Sequence, residues 1–325
     1  MDGQLNLEAG AHRIALDTSG SRSQVCFVSH AHSDHTAALK GKGRRIIASE
    51  ATLALAGETS DRLHTGGLDG LKIELLPSGH MLGSRQLRVE SDSKSFTYTG
   101  DFKLGKSLTA EPAVVKETDS LLIEGTFGEP GTKFPDRHEV CNSIAEFVTK
   151  NHNEGHIVLL GGYTLGKAEE LVAIVNQLCK LKPVASEKIA WACGVYSKFG
   201  VPLEAVSVGT PEADELMKDA FVSVMPFHQV NFELAVQMSR QHRRSVYSAV
   251  ATGWAASTRF PVDEAFPLSD HADFHEIIEY VEAAKPKQVF CCHGNEGLLS
   301  RELSRRGWNA QPAGLKETQL ILSGW

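Results

Sequence analysis

A chain of 325 residues with 42% hydrophobic and 22% charged side chains has material for one large core or two domains, and intrinsic disorder is not its default. Asp2 and a polar stretch follow Met1 where a leader would need a basic and then an apolar region, and no apolar run approaches the ~20 residues that span a bilayer; a cytosolic protein with no membrane association is expected. The formal charge of −7 speaks against a uniformly basic nucleic-acid binder.

Local cationic clusters soften that exclusion: Lys40, Lys42, Arg44 and Arg45; Arg240, His242, Arg243 and Arg244; and Arg301, Arg305 and Arg306. Each serves equally as a solvated face. Six cysteines contain no Cys-x-x-Cys pair, and a chain of this length needs no disulfide framework, so they read as reduced, mostly buried thiols.

In chain order, the first ~125 residues are β-rich, with short alternating segments broken by Gly, Ser and Asp. These are Val25 to Ser29, Arg45 to Ala48, Leu71 to Leu76, Gln86 to Glu90, Phe96 to Thr99 and Leu121 to Glu124, with one helix-like stretch from Glu50 to Ala56. After a loop punctuated by Pro130, Gly131 and Pro135, the texture becomes β/α. Helical spacing runs from Glu139 to Lys150, a buried strand from His156 to Leu160 and a second helix from Lys167 to Leu178. The alternation continues through Ile189 to Cys193, Glu212 to Asp219, Phe221 to Met225 and Val246 to Ala249. The last segment predicts a helix over Phe274 to Ala284, a strand over Gln288 to Cys292 and a helix over Gly297 to Arg306. No internal repeat or low-complexity tract is present.

The sharpest chemical signal is His30-Ala31-His32-Ser33-Asp34-His35, which places three of the chain's 14 histidines within six positions directly after an apolar strand. His30 and His32 alternate onto one side of a strand end, while Asp34 and His35 turn into the following loop. Imidazole and carboxylate are the ligands that zinc takes, and a catalytic zinc keeps one position open for water.

This pattern resembles the signature of the metallo-β-lactamase superfamily. Ser78-Gly79-His80 resembles its third-histidine motif, and Thr99-Gly100-Asp101-Phe102 the motif whose aspartate bridges two metals. The resemblance implies two Zn2+ ions, with Mn2+ a possible substitute: His30, His32 and His80 on one, Asp34 and His35 on the second, Asp101 on both. Such a pair suits phosphodiester hydrolysis but does not by itself supply an acid for the leaving oxygen.

The second half of the chain resembles the β-CASP branch, the nucleases that carry a cap domain inserted into the hydrolase. Leu122-Ile123-Glu124-Gly125-Thr126-Phe127-Gly128, Leu268-Ser269-Asp270-His271-Ala272-Asp273 and Cys291-Cys292-His293-Gly294-Asn295-Glu296 look like its motifs A, B and C. By resemblance His293 completes the second zinc, and His271 is the proton donor oriented by Glu124. A neighbouring carboxylate favours an imidazolium and fixes its orientation.

Between these motifs, Gly161-Gly162-Tyr163-Thr164-Leu165-Gly166-Lys167 joins a strand to a helix. It reads either as a phosphate site, with Gly166 at a helix N-terminus and Lys167 as counter-charge, or as a tight turn that needs glycine. Ser269 in motif B is a further candidate nucleic-acid contact. The Gly161 to Lys167 stretch, Gln229-Val230-Asn231-Phe232 and Thr252-Gly253-Trp254 look like the cap of Artemis-type and crosslink-repair DNA nucleases, and the layout also resembles ligase-associated DNA exonucleases. Trp254 suits either a base stack or a core.

The fold expected is α/β: a four-layer αββα metallo-β-lactamase hydrolase from 1–128 and 256–325 with a β/α β-CASP cap at 129–255, and the active cleft between them. The function expected is that of a dinuclear-zinc nuclease, an exonuclease on single-stranded DNA in repair, with repair or ligase-associated proteins as possible partners. RNA-processing members of the branch typically carry histidine in motif C where Artemis-like enzymes carry valine, so His293 keeps RNA open. A thioesterase or lactonase would leave Glu124, His271 and the long cap without a role. A non-catalytic nucleic-acid-binding scaffold would have no use for a complete ligand set.

Overall fold

The computed structural model describes residues 5–19, 23, 25–41, 43–64 and 67–314, and the backbone of 318–321. Lys42 of the first basic cluster and the amino-terminal residues read for a leader lie outside the described residues. No described helix is long and apolar enough to cross a membrane.

In chain order the strands are β1 (Leu5–Ala9), β2 (His12–Leu16), β3 (Val25–Phe27), β4 (Arg45–Ile47), β5 (Lys72–Pro77), β6 (Arg85–Glu90), β7 (Ser95–Tyr98) and β8 (Ser120–Glu124), with helix α1 (Glu50–Leu55) among them. Then come α2 (Arg137–Asn153), β9 (Ile157–Gly162), α3 (Lys167–Gln177), β10 (Val184–Ala185), α4 (Glu187–Lys198), β11 (Val206–Ser207), α5 (Pro211–Leu216), β12 (Val222–Pro226), α6 (Phe232–His242), β13 (Val246–Ala251) and β14 (Glu264–Phe266). The chain closes with α7 (Phe274–Ala284), β15 (Gln288–Cys292), α8 (Glu296–Arg305), β16 (Ala310–Pro312) and β17 (Thr318–Ile321).

Two compact units result. The first takes the chain up to Lys106, Ala110–Lys133, and from His271 onward. Its two sheets run β17-β1-β2-β3-β4 and β16-β15-β8-β7-β6-β5. Side chains alternate across a strand, and this period of two builds the layers. Leu122 and Cys292 face the core shared with Leu7, Ile14, Leu16 and Phe27 of the other sheet. Their neighbours Leu121, Ile123, Val289 and Cys291 face Ile277, Val281, Leu299 and Leu303 of α7 and α8. On the far side, Cys26 and Ile46 pack with Leu39 and with Leu53 of α1. Helix, sheet, sheet, helix is the four-layer αββα order.

The second unit comprises Ser107–Thr109 and Phe134–Asp270. Its sheet, ordered β11-β10-β12-β9-β13-β14, is parallel throughout. Ala249–Ala251 pair with Glu264–Phe266, so β14 belongs to this sheet, beyond residue 255, where the sequence reading ended the insertion. Ile189 to Cys193 lies inside helix α4.

Lys167 does not offer its charge to a phosphate. It is 3% exposed, with Nζ 2.9 Å from Glu170 Oε2 and 2.6 Å from Asp270 Oδ1. Arg137 caps the same pair, with Nη2 2.6 Å from Glu170 Oε2 and 2.9 Å from Asp270 Oδ1, and it also donates to the Ser269 carbonyl. Gly166 is the N-cap of α3 at φ +88°, a conformation suited to glycine, which favours the tight-turn reading of this loop.

Glu169, one residue before Glu170, is fully buried, and neither carboxylate oxygen makes a well-formed hydrogen bond among the described residues. Burial pushes its carboxyl up to about 8, assisted by Asp270 and opposed by the nearby amides of Gly166 and Glu169 and by Lys188. An acid whose pKa rises on folding destabilises the fold as pH climbs from the unfolded value through the folded one. Glu169→Gln therefore stabilises the chain by on the order of 2–4 kcal/mol at pH 8, a gain that shrinks towards zero below pH ~4.5. Paired denaturant titrations of the two proteins across that pH range measure the difference.

Candidate metal centre

Strand direction collects the site residues. β5, β7, β8 and β15 point the same way in one sheet, because β6 is antiparallel to both β5 and β7, whereas β7, β8 and β15 are parallel. Their carboxyl ends lead into His80, Asp101, Glu124 and His293 respectively, and β3 of the other sheet leads into His30 to His35. His80 reaches its place through Gly79, where φ is +84° and an added Cβ would lie 1.9 Å from the Lys103 carbonyl oxygen. Only glycine fits that approach.

One nitrogen from each of His30, His32 and His80 and one oxygen of Asp101 lie within 4.8 Å of one another. His30 Nε2 is 2.9 Å and His80 Nε2 3.2 Å from His32 Nδ1, while Asp101 Oδ2 is 3.5 Å from His30 Nε2 and 3.8 Å from His80 Nε2. On the other side of Asp101, His35 Nε2 lies 3.5 Å from Oδ2 and 3.7 Å from Asp34 Oδ2. Asp34 is largely exposed, its side chain at 78%. His293 follows at φ +58°, with its ring centroid 5.4 Å from that of His35 and its Nε2 3.3 Å from the Tyr98 hydroxyl.

The protonation pattern follows from the outer atoms. Asp17 accepts from the Ser29 amide and hydroxyl (2.6 Å each), from the Tyr98 hydroxyl (2.9 Å) and from His35 Nδ1 (2.8 Å). His35 Nδ1 therefore carries a proton. Since the Ser29 hydroxyl is spent on Asp17, it accepts from His30 Nδ1 at 2.9 Å. Both imidazoles thus turn Nε2 inward, the nitrogen that ligates a metal: on neutral His30 it carries the lone pair, and on His35 it does so once its own proton has left.

Burial and the neighbouring His35 and His32 hold His30 well below the ordinary histidine range, so its ring is neutral. Burial alone would lower His35, but Asp101 and Asp17 push it up to about 10. Burial would raise Asp101, yet His35, His271 and His30 hold it well below the usual carboxylate range. Converging lone pairs beside a buried carboxylate leave a place that a divalent cation fits.

His271 stands beside this group. Its Nδ1 lies 3.0 and 3.1 Å from the two oxygens of Glu124, and its ring centroid 4.7 Å from that of His80. Glu124 is 1% exposed and also accepts from the Phe102 amide at 2.9 Å. Asp101, Glu124 and His271 likewise offer atoms within 4.8 Å of one another. Nδ1 donates to the carboxylate, which fixes the orientation of the His271 ring.

The structure brings together His30, His32, Asp34, His35, His80, Asp101, Glu124 and His271, with His293 attached through Tyr98 and the His35 ring. Sequence reasoning missed Asp17, Ser29 and Tyr98. The available signal was an aspartate at the end of the alternating strand His12–Leu16, itself unrecognised.

Residues 264–311 match the family described as Zn-dependent metallo-hydrolase RNA specificity domain. Over 91% of its length the chain is 32% identical to a probable DNA ligase of Opitutus terrae, and over 85% it is 24% identical to mouse 5' exonuclease Apollo. It spans 29% of the first and 51% of the second. A third relative, an RNase J-like protein of Methanocaldococcus jannaschii, is 33% identical over 33% of the chain and 26% of that protein. A solved protein of unknown function from Enterococcus faecalis shares the fold, with a TM-score of 0.55 at 16% identity over 86% of this chain and 76% of its own.

These similarities support the β-CASP branch of the metallo-β-lactamase superfamily. The matching family is described as Zn-dependent, and this chain carries a His/Asp cluster able to hold metal.

Asp17→Ala frees His35 to rotate and to change tautomer. Its affinity for zinc falls about 10–100-fold, as when outer-shell carboxylates are removed from metal sites. Metal content by mass spectrometry after graded chelator dialysis checks this; retention equal to wild type would remove Asp17 from the site.

Proposed function

We propose that the chain is a dinuclear-zinc phosphodiesterase, an exonuclease on single-stranded DNA in repair. The observation that carries this reading is the His271–Glu124 couple beside the histidine and aspartate cluster, because phosphodiester hydrolysis needs an acid for its leaving oxygen and thioester or lactone hydrolysis gives that couple no task. His30, His32, His80 and Asp101 would hold one ion, and Asp34, His35, His293 and Asp101 the other. Bound zinc supplies Lewis acidity, which activates water near neutral pH and neutralises charge developing on phosphoryl oxygens. Glu124 fixes the His271 ring through Nδ1, so Nε2 delivers the proton to the departing oxygen. Ser29 and Asp17 keep the nitrogens of His30 and His35 turned towards the centre.

DNA is favoured over RNA because relatives named for DNA ligation and 5' exonuclease action align across the inserted segment, with 91% and 85% of the chain covered. The RNase J-like relative aligns over 33%. RNA processing is the second reading, supported by His293 and by the RNA specificity description of residues 264–311. Partnership with repair or ligase-associated proteins belongs to the same proposal.

Asp101→Ala abolishes cleavage and lowers metal content; undiminished cleavage after exclusion of contaminating nucleases would defeat the two-metal reading. His271→Ala lowers turnover about 10²–10⁴-fold with zinc retained, and loss of metal instead would reassign His271 as a ligand. Labelled DNA and RNA strands of one sequence, blocked at either end, separate sugar preference, polarity and exo- from endonuclease action.

A further inference from the structure

The parallel sheet of the second unit has a switch point. From β9 the chain leaves towards β10 on one side, and from the adjacent β13 it leaves towards β14 on the other. Open parallel sheets bind ligands outside the carboxyl ends of strands at such a point. The loops that emerge there carry aromatic rings: Tyr163 directly after β9, Trp254 after β13, and Phe227 after β12 on the other flank of β9.

Tyr163 and Phe227 lie parallel, their centroids 5.1 Å apart and their planes 5° from coplanar. Phe260 meets Phe227 edge-on at 5.5 Å and fixes its plane. Tyr163 nevertheless remains 48% exposed and Trp254 45%. A buried stack fills a core; this one leaves a half-exposed ring at the carboxyl ends of the strands.

The charge around it is selective. The chain carries 40 acids, yet residues 163–166, 227–231 and 252–262 contain none. Asp263, the next acid along, is spent on Ser248, whose amide is 2.7 Å and hydroxyl 2.9 Å away. Arg259, adjacent to Phe260, is exposed and has no ion pair or hydrogen bond among the described residues, and His228 beside Phe227 is exposed too.

We propose that this surface is a stacking platform for a base of single-stranded nucleic acid, with Tyr163 as the stacking ring, Phe227 its support and Arg259 the contact to the neighbouring phosphate. The inference rests on the nuclease reading and adds where in the inserted unit the strand is held. Stacking tolerates any base because every base has a π face, so the platform contributes affinity and register but no sequence preference.

The test is steady-state cleavage of a fluorescent homopolymer in which one abasic residue is moved stepwise from the labelled end. With the zinc-loaded wild type, one abasic position lowers kcat/KM by about 5- to 150-fold. Tyr163→Ala lowers kcat/KM on the intact strand by a similar factor and no longer distinguishes that position, whereas Tyr163→Trp, with an unchanged melting temperature, restores the distinction. Arg259→Ala reduces the slope of log affinity against log salt by about one. Persistence of the abasic effect in Tyr163→Ala, or equal cleavage of the intact strand by both proteins, overturns the platform and leaves the nuclease reading standing. A wild type that cleaves no strand overturns both.

Discussion

The metal centre depends on which nitrogen each histidine turns inward, and for His30 and His35 that choice is made one layer out, by the carboxylate of Asp17. Its four hydrogen bonds come from an amide, two hydroxyls and an imidazole. Because the Ser29 hydroxyl can give its proton only once, binding Asp17 obliges it to accept from His30. A single buried acid thus sets two tautomers. Asp17 adopts φ +54° directly after β2, which the pairing of Leu16 with Phe27 holds alongside β3. The geometry of the centre is therefore inherited from strand register; a one-residue slip would turn the carboxylate to the other face.

The same economy governs His271. Glu124 is the last residue of β8, buried beneath the Phe102 amide, and its two oxygens leave the His271 ring little rotational choice. Fixing Nδ1 fixes Nε2, so the nitrogen to which the proposed mechanism gives the proton is set by a contact on the opposite side of the ring. The imidazoles of His30, His35 and His271 are oriented by one device: a buried acceptor that takes the outward nitrogen.

These devices differ in how plainly the sequence carries them. The ligand motifs were legible because their residue types are rare and closely spaced, and the layers were legible because Leu121 to Glu124 and Gln288 to Cys292 are short, mostly apolar runs set among strand-like and helical segments that fit a doubly covered strand. Asp17 was not legible, since a lone aspartate after a weakly alternating segment reads as a turn. Helix α6 was missed because none of its residues is fully buried, and Leu234, Ala235 and Met238 pack against the core only in part. Ile189 to Cys193 gave no element type, because a short apolar run fits a strand and a buried helix equally. Lys167 shows the other kind of failure. Its role depends on Glu170 one turn away and on Asp270 far along the chain, and spacing carries no trace of the second.

That cluster also explains the state of Glu169. Arg137 and Lys167 balance Glu170 and Asp270, so the four buried charges sum to zero and each is paired within hydrogen-bonding distance. A fifth ionised group would be uncompensated, and burying an unpaired charge costs more than keeping a proton on it. Glu169 is that fifth group. Its carboxyl sits in the first turn of α3, where helix amides favour negative charge, and it is still pushed up to about 8. Desolvation outweighs the helix terminus here because Arg137 and Lys167 are already committed and Lys188, the other cation near it, is exposed to solvent.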